Sequence, residues 1–393
     1  MAKILLCWEL GSGLGHARRL AGLAKALIEN GFQVSMATTA PEQAKASGFA
    51  HGPVIPIAQW PGVLASSSRT VVAATFGDLM AELLFVDESG IHERIRLWDQ
   101  LFTTSGADLI VADYAPGAVL AARGMLPVVN IGDSYYLPPP ELPSFPRLFE
   151  EPPRHDETIV VARINAALRA VARPELVSYP DVARAAATMV TNFPALDIYA
   201  AQRKLPAIGP LELMPEISAE KPTRLFGYFP SGTEFNPRIV NGLIASKIAG
   251  RIVIPGMQRN PVPNPFGAPT QFTAQLADMR STFRGAAVYV SHGGAQSAAA
   301  ALAAGVPQVI IAADDEKRLI GKRIARAGAG MTLRAEKLQS ADLAQAINSV
   351  VNEPMYRRAA LVLAQECQSL LKQQPTATLL SAVSALAKPG ERN

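Results

Sequence analysis

The chain contains few cysteines and few histidines. Its 393 residues include 2 cysteines, Cys7 and Cys367, and 5 histidines. The cysteines are far apart and lack the paired spacing of zinc ligands, so neither a disulfide framework nor a structural zinc site is predicted. The histidines are isolated and no Asp-x-Asp motif occurs. We therefore predict no metal site, and we expect a reducing, cytoplasmic location.

The chain also lacks long apolar runs and dense charge. No uncharged apolar stretch reaches the roughly 18 residues of a membrane-spanning helix, and the apolar run at the N-terminus stops at Glu9, too early for a secretory signal. The net charge is +4, and the basic residues are scattered without interleaved aromatics, which argues against a nucleic-acid partner. A hydrophobic content of 49% with 18% charged residues is typical of a globular enzyme.

Short apolar runs alternate with helix-like segments along the whole chain. In the first half the runs are KILLCWEL, FQVSMAT, DLIVADY and LPVVNIG; in the second half they are RLFGYFP, GRIVIPG, AAVYVS, PQVIIAA and MTL. This alternation predicts an α/β protein with parallel sheets, and the length suits two domains. We predict an N-terminal domain at 1–214, a C-terminal domain at 223–375, and a C-terminal helix at 376–393 that packs back on the N-terminal domain.

Two glycines separate a predicted strand from a predicted helix in SHGGAQSAAAALAAGVP. Gly293 and Gly294 let the backbone approach a ligand closely, and the first N–H groups of the helix attract a diphosphate. His292 and Ser297 add side-chain donors. A glycine turn with a core histidine is the alternative for such a motif taken alone.

A second glycine-rich turn, GSGLGH, joins the first strand to the first helix and places His16 near the start of that helix. Its spacing is GxGxG, not the GxGxxG of dinucleotide-binding proteins, and no acidic residue ends the next strand. The sequence therefore argues against NAD as a cofactor. Asp113 stands at the end of a later strand, in DLIVADY.

The stretch from Tyr289 to Leu333 resembles the donor-site signature of the UDP-glycosyltransferase-like family, which includes antibiotic and plant natural-product transferases. The likeness rests on HGG, the following AQS, ALAAGVP and GAG. It implies a GT-B fold: two Rossmann-like, doubly wound parallel-sheet domains facing a central cleft. It also implies an inverting transferase that takes UDP- or dTDP-sugar as co-substrate, with no other cofactor.

The resemblance further assigns roles to individual residues. His16 is implied as the general base that deprotonates the acceptor hydroxyl, and Asp113 as the carboxylate that orients it. The implied donor-binding residues are Gly13, Gly15, Ser231, Gly232, Thr233, His292, Gly293, Gly294, Ala295, Gln296, Ser297, Glu316 and Lys317.

The sequence departs from the family pattern at two places. Glu316 and Lys317 stand where the family has Asp-Gln for the sugar hydroxyls, and residues 276–279 (LADM) do not match its base-binding segment. Two alternatives therefore stay open: a non-catalytic nucleotide-sugar-binding protein and a GT-B nucleotide-sugar epimerase. Glu9 is an alternative base or acceptor contact.

The acceptor is expected to be a small molecule or a lipid. A lipid would be met by peripheral membrane contact through arginines near a proline-rich loop at 135–155, namely Arg147, Arg154, Arg163, Arg169 and Arg173.

Overall fold

The computed structural model describes residues 1–11, 14–50, 52–66, 73–229, 237–258, 269–275 and 278–387. The chain divides into two compact units. Unit 1 comprises Met1–Thr191, Tyr199–Glu212 and Gln374–Asn393, and unit 2 comprises Asn192–Ile198 and Leu213–Gln373. Two features of this division are that residues 192–198 group with unit 2 and that the C-terminal helix groups with unit 1.

Unit 1 is built on a parallel sheet. Its strands in the described residues are β1 (Lys3–Trp8), β2 (Gln33–Thr38), β3 (Val54–Pro56), β4 (Leu109–Asp113), β5 (Val128–Gly132) and β6 (Ala187–Val190). Its helices are α1 (Leu14–Glu29), α2 (Pro41–Ala46), α3 (Pro61–Ser66), α4 (Phe76–Leu83), α5 (Glu88–Ser105), α6 (Pro116–Ala122) and α7 (Glu157–Ala170). The sheet order is β3-β2-β1-β4-β5-β6.

The core of unit 1 explains why its strands read as continuous apolar runs. Parallel strands covered by helices on both faces bury every side chain, and all residues of β4 and β5 are buried. Leu20, Leu23 and Leu27 of α1 pack on one face of the sheet, together with Leu379 and Val383. The last two belong to the C-terminal helix of the described residues, Pro375–Leu386.

Unit 2 repeats this plan. Its strands in the described residues are β7 (Arg224–Tyr228), β8 (Gly250–Val253), β9 (Thr270–Thr273), β10 (Ala286–Ser291), β11 (Gln308–Ala312) and β12 (Gly330–Arg334). Its helices are α8 (Pro237–Ala245), α9 (Met279–Thr282), α10 (Ala295–Ala303), α11 (Asp315–Arg326), α12 (Ser340–Asn352) and α13 (Pro354–Leu371), so the C-terminal helix is α14. The sheet order is β12-β11-β10-β7-β8-β9.

Both sheets place one of the two predicted site motifs where the strand order reverses. In unit 1 this point lies between β1 and β4, and in unit 2 it lies between β7 and β10. The loops after two such neighbouring strands turn away from each other, which opens a crevice at the carboxyl ends of the strands. His16 follows β1 and Asp113 ends β4, while His292, Gly293 and Gly294 follow β10.

The α/β prediction with two parallel sheets is confirmed, and most predicted strands are present. The edge strands β3 and β9 were not predicted, because they are only three and four residues long. The proline-rich segment was predicted as a loop at 135–155. Residues 137–155 have no helix or strand, whereas Tyr135 and Tyr136 belong to the 3-10 helix Ser134–Tyr136, and Phe145 and Phe149 are buried. Among the residues with described positions, no helix combines the length and the apolar character needed to cross a membrane.

Candidate functional site

His16 and Asp113 are in direct contact. His16 lies in the first turn of α1, directly after the β1 loop, and its Nδ1 atom is 2.9 Å from Oδ1 of Asp113. The Asp113 side chain is fully buried, whereas 13% of the His16 side chain is exposed. A carboxylate only accepts hydrogen bonds, so the pairing assigns the proton to Nδ1 of the neutral ring and leaves Nε2 as an acceptor.

The Nε2 side of the His16 ring lies against Gly11. A β-carbon at position 11 would be 2.5 Å from Nε2, and Gly11 has a φ of +90°. Glycine is therefore required here twice: by the left-handed backbone and by the space beside the ring. The glycine-rich turn keeps the acceptor nitrogen of His16 clear of side chains from this position.

The Asp113 carboxylate is strongly stabilised in its charged form. Burial would raise its pKa, but the charges of Arg19 and His16, with hydrogen bonds from His16 and Tyr136, outweigh burial and lower the pKa to about 2. Asp113 is therefore ionised at neutral pH and remains an acceptor for the His16 ring.

Arg19 joins this pair and was not predicted. It lies three residues after His16 on the same face of α1, and only 1% of its side chain is exposed. Its Nη1 donates to Oδ2 of Asp113 at 3.0 Å and its Nη2 donates to Oδ2 of Asp133 at 2.9 Å. The Tyr136 hydroxyl lies 3.1 Å from Oδ1 of Asp113. Asp133 and Tyr136 follow β5, the neighbour of β4, and that shared sheet edge is the signal that could have found them.

Aromatic rings surround His16. Trp8 stacks on it with 5.6 Å between ring centroids, and Tyr136 and Tyr114 lie at 5.5 and 6.1 Å. Tyr114 stacks on Tyr136 at 4.3 Å and has a positive φ of 51°, in the residue directly after Asp113. A left-handed backbone in a bulky residue is costly and clusters at functional sites. The faces of the His16 ring are thus packed by aromatic side chains, while its Nδ1 edge meets the Asp113 carboxylate.

Glu9 has a structural environment. Its carboxylate is fully buried, accepts hydrogen bonds from Nε1 of Trp98 and from the backbone N–H of Gly117, both at 2.7 Å, and lies 3.6 Å from Arg94. Burial raises the pKa of Glu9, with Arg94 and these hydrogen bonds opposing. Glu9 ties α6 to α5, and its complete burial argues against the alternative in which it contacts an acceptor.

The glycine loop of unit 2 leads directly into α10. Gly293 has a φ of +89°, and a β-carbon there would lie 2.7 Å from the Ile310 side chain. Gly294 is the N-cap of α10 and supplies no side-chain cap, while Ser297 in the first turn donates from Oγ to the Gly294 carbonyl at 3.0 Å. Ala295 and Gln296 complete this turn. The arrangement presents backbone N–H groups of the kind that bind phosphate.

His292 is uncharged at neutral pH. Burial and, second, the charge of Lys317 lower its pKa to about 4, because together they outweigh the opposing effects of Asp314 and the Tyr228 backbone. Its Nδ1 atom is buried and has no hydrogen-bond partner among the described residues. A buried polar atom without a partner is costly, so a ligand that supplies one would be stabilised here.

The first turn of α11 lies against this loop. A β-carbon on Gly293 would be 3.4 Å from Cβ of Lys317. Asp314 caps α11, accepting from the Lys317 backbone N–H at 3.0 Å, and it also pairs with the Lys317 ammonium group. Glu316 lies in the same turn.

Several predicted residues cannot be placed. Gly13, Ser231, Gly232 and Thr233 lie outside the described residues, as do Leu276 and Ala277 of the unmatched segment. Gly15 lies beside His16 in the first turn of α1.

The five arginines proposed for lipid contact all have intramolecular partners. Arg147 donates to the Glu151 carbonyl, Arg154 pairs with Glu82, Arg163 donates to the Phe85 carbonyl, Arg169 pairs with Glu175, and Arg173 pairs with Asp99.

In the part of the chain that is described, no group of three or more His, Cys, Asp or Glu side chains is arranged to hold a metal ion.

Known proteins match part of this chain in sequence and nearly all of it in fold. A profile of the family described as "Erythromycin biosynthesis protein CIII-like, C-terminal domain" matches residues 265–383. The erythronolide mycarosyltransferase of Saccharopolyspora erythraea is 37% identical over 83 residues, 21% of this chain and 20% of that protein. The aligned segment thus covers about a fifth of that relative's length.

Two solved structures match nearly the whole chain. Glycosyltransferase VinC in complex with dTDP has a TM-score of 0.67 and 16% identity, covering 99% of this chain and 100% of VinC. The calicheamicin glycosyltransferase CalG4 has a TM-score of 0.71 and 16% identity, covering 99% of each chain. The chain therefore has the GT-B fold of these glycosyltransferases, and its residues 265–383 match the C-terminal domain of the erythromycin biosynthesis protein CIII-like family.

Proposed function

We propose that this protein is an inverting glycosyltransferase that moves a sugar from a nucleoside diphosphate sugar to an acceptor hydroxyl. The observation that carries the proposal is the 2.9 Å contact between Nδ1 of His16 and the Asp113 carboxylate. It supports an imidazole that is oriented by a buried anion and whose Nε2 atom is kept as the proton acceptor.

The reaction begins at unit 1. Nε2 of His16 takes the proton of the acceptor hydroxyl while the hydroxyl oxygen attacks the anomeric carbon. The Asp113 carboxylate stabilises the imidazolium that forms, as a carboxylate paired with a catalytic histidine does. The attack displaces the diphosphate from the opposite side of the anomeric carbon, so the configuration inverts.

The donor binds to unit 2. The leaving diphosphate meets the backbone N–H groups at the start of α10, where the helix dipole favours negative charge. His292 and Ser297 add hydrogen bonds, and Lys317 supplies a positive charge beside Gly293. These groups stabilise the charge that develops on the leaving group without a resident metal ion.

The donor nucleotide is proposed to be dTDP or UDP. VinC was solved with dTDP, and the matched relative from Saccharopolyspora erythraea is a mycarosyltransferase. For the acceptor we propose a small molecule with an apolar body, because Trp8, Tyr114 and Tyr136 surround the His16 ring.

Turnover resolved by mass spectrometry tests the proposal. Purified protein is incubated with dTDP-glucose, dTDP-rhamnose and UDP-glucose, each with EDTA and a panel of phenols and macrolactones. Wild type is compared with His16→Ala and with His92→Ala, a control on the surface of α5. We expect a glycosylated product and free nucleoside diphosphate, with a loss of about 10²- to 10⁴-fold in His16→Ala alone.

The alternatives give different outcomes in the same assay. Thermal stabilisation by a nucleotide sugar without any release of nucleoside diphosphate would replace the proposal with a binding protein. Isomerised nucleotide sugar in the absence of acceptor would replace it with an epimerase. A manganese requirement after EDTA treatment would contradict metal-independent stabilisation of the leaving group.

A further inference from the structure

We propose that Arg19 is a positioning residue, which holds the Asp113 carboxylate against His16 and divides its own positive charge between Asp113 and Asp133. The inference rests on the proposed role of His16 as a base. It concerns a residue that the family resemblance does not assign, and it follows from the contacts of a guanidinium group that is almost entirely buried.

The hydrogen bonds of Arg19 converge on the carboxylate that orients His16. Nη1 of Arg19 lies 3.2 and 3.0 Å from the two Asp113 oxygens and 3.0 Å from the Tyr136 hydroxyl. Oδ1 of Asp113 therefore accepts from His16 and Tyr136 as well as from Arg19. Three donors fix the position of this oxygen. They also share its negative charge, so each donor, His16 included, is attracted less strongly than a single donor would be.

The other side of Arg19 faces further acidic groups. Nη2 donates to Asp133 at 2.9 Å, and Nε lies 3.7 Å from Oε1 of Glu212, on the segment Tyr199–Glu212. Burial disfavours the charged form of Arg19, but Asp113, Tyr136, Asp133 and Glu212 outweigh this and raise its pKa. Burial raises the pKa of Glu212 and of Tyr136, so the tyrosine keeps its proton. Arg19 thus stays positively charged, and its charge is shared among Asp113, Asp133 and Glu212.

Because the Arg19 charge is divided between Asp113 and Asp133, replacing Arg19 and replacing Asp133 should have opposite effects on the pH profile. In Arg19→Met, the His16–Asp113 pair loses a neighbouring positive charge and binds a proton more readily, so the acidic limb of the kcat/KM profile moves to higher pH by about one unit or more. In Asp133→Asn, one of the two carboxylates that share the Arg19 charge becomes neutral. Arg19 then acts more strongly on Asp113, so the acidic limb moves to lower pH. Arg19→Lys keeps the charge, and we expect it to restore part of the wild-type profile.

A spectroscopic measurement separates this inference from the proposed activity. The Nδ1–H proton of His16 is hydrogen-bonded to Asp113 and should resonate downfield in the proton NMR spectrum, disappearing in Asp113→Asn. We expect this signal further downfield in Arg19→Met, where Asp113 is no longer shared, and further upfield in Asp133→Asn. This readout needs no acceptor, donor or turnover.

Shifts of opposite sign in Arg19→Met and Asp133→Asn, in both the His16 signal and the acidic limb, would support the inference. A purely structural role would reduce activity in both variants and leave the signal and the limb in place. An unchanged His16 signal and an unchanged acidic limb in folded Arg19→Met would overturn it. If Arg19→Met does not fold, Asp133→Asn decides alone, because an unmoved signal and limb there also overturn it. If wild type shows no turnover, the proposed function fails while the NMR signals still test Arg19.

Discussion

Gly11 lies directly against the ring of His16, such that a β-carbon on Gly11 would be 2.5 Å from Nε2. The nearest carbon of the ring, Cδ2, would lie 3.0 Å away. The ring can yield only by rotating away from Asp113, to which it is hydrogen-bonded. The backbone conformation of the glycine-rich turn therefore determines whether His16 can keep its orientation toward Asp113.

Gly11→Ala should reduce both activity and stability. The new methyl group displaces the His16 ring, and the positive φ costs about 1–2 kcal/mol for a residue with a β-carbon. We expect kcat/KM to fall at least about tenfold, since small displacements of catalytic groups are expensive. Steady-state kinetics and chemical denaturation measure the two effects.

Gly22→Ala is the matched control on α1, the helix that carries His16. A β-carbon there would meet nothing within 4 Å, and alanine is a better helix former, so stability should rise by up to about 1 kcal/mol. Wild-type activity in Gly11→Ala, or equal losses in both variants, would contradict the contact described here.

Asp113 should contribute to stability only above acidic pH. Its folded pKa of about 2 lies below its ordinary value of 3.8, so the stabilisation is complete above that ordinary value and is lost as the pH falls toward 2. The difference corresponds to about 2 kcal/mol. The gap in unfolding free energy between wild type and Asp113→Asn should narrow by about 1 kcal/mol between pH 5 and pH 3. Denaturant titrations at both pH values measure it.

Asp342→Asn, on the exposed first turn of α12, controls for general effects of acid on the fold. No comparable narrowing is expected there. A gap between wild type and Asp113→Asn that stays constant from pH 5 to pH 3 would show that Asp113 is not held as an anion by Arg19 and His16.

Lys317→Gln should raise the pKa of His292 from its value of about 4. Burial is the larger cause of the low pKa and Lys317 the second, so the rise should be partial. Because the folded pKa lies below the ordinary value of 6.5, His292 stabilises the fold above pH 6.5 and this contribution disappears as the pH falls toward 4. NMR titration of labelled histidine measures the change, with Lys337→Gln as an exposed control.

An unmoved His292 titration in Lys317→Gln would mean that the lysine ammonium group is directed away from the glycine loop. The result would also remove Lys317 from the proposed stabilisation of the leaving diphosphate, leaving the backbone N–H groups, His292 and Ser297.

Ser297→Ala should weaken the binding of dTDP or UDP, whichever binds wild type. The hydroxyl lies in the first turn of α10 and is 93% buried beside the Gly294 carbonyl. Loss of one hydrogen bond to a charged phosphate costs about 1.5 kcal/mol, or roughly tenfold in Kd. Isothermal titration calorimetry measures it, with Ser381→Ala on α14 as control. An unaltered Kd would exclude the hydroxyl from the nucleotide site.

The sequence predicted the interior strands of the two sheets well and the edge strands β3 and β9 poorly. Interior strands such as β4 and β5 are buried on both faces, so they appear as uninterrupted apolar runs. β3 and β9 have only three and four residues, and all of β3 and two residues of β9 are in intermediate or exposed positions, so they carry no comparable pattern. The segment 192–198 groups with unit 2 because Phe193 and Leu196 pack with Ala298 and Ile310, a contact that leaves no trace in local sequence.

The sequence by itself determined the two α/β units and both glycine loops, because each depends on residues that are adjacent in the chain or on a recurrent spacing. The candidate pair His16 and Asp113 came from the resemblance to a known family. Only the tertiary structure decided that Arg19 bridges Asp113 and Asp133 and that Gly11 abuts Nε2 of His16. These contacts depend on strand order, which brings together at one sheet edge the loops after β1, β4 and β5. The contact of Arg19 with Asp133, 114 positions away in the chain, is set by that order and by burial, and no local stretch of the sequence specifies either of them.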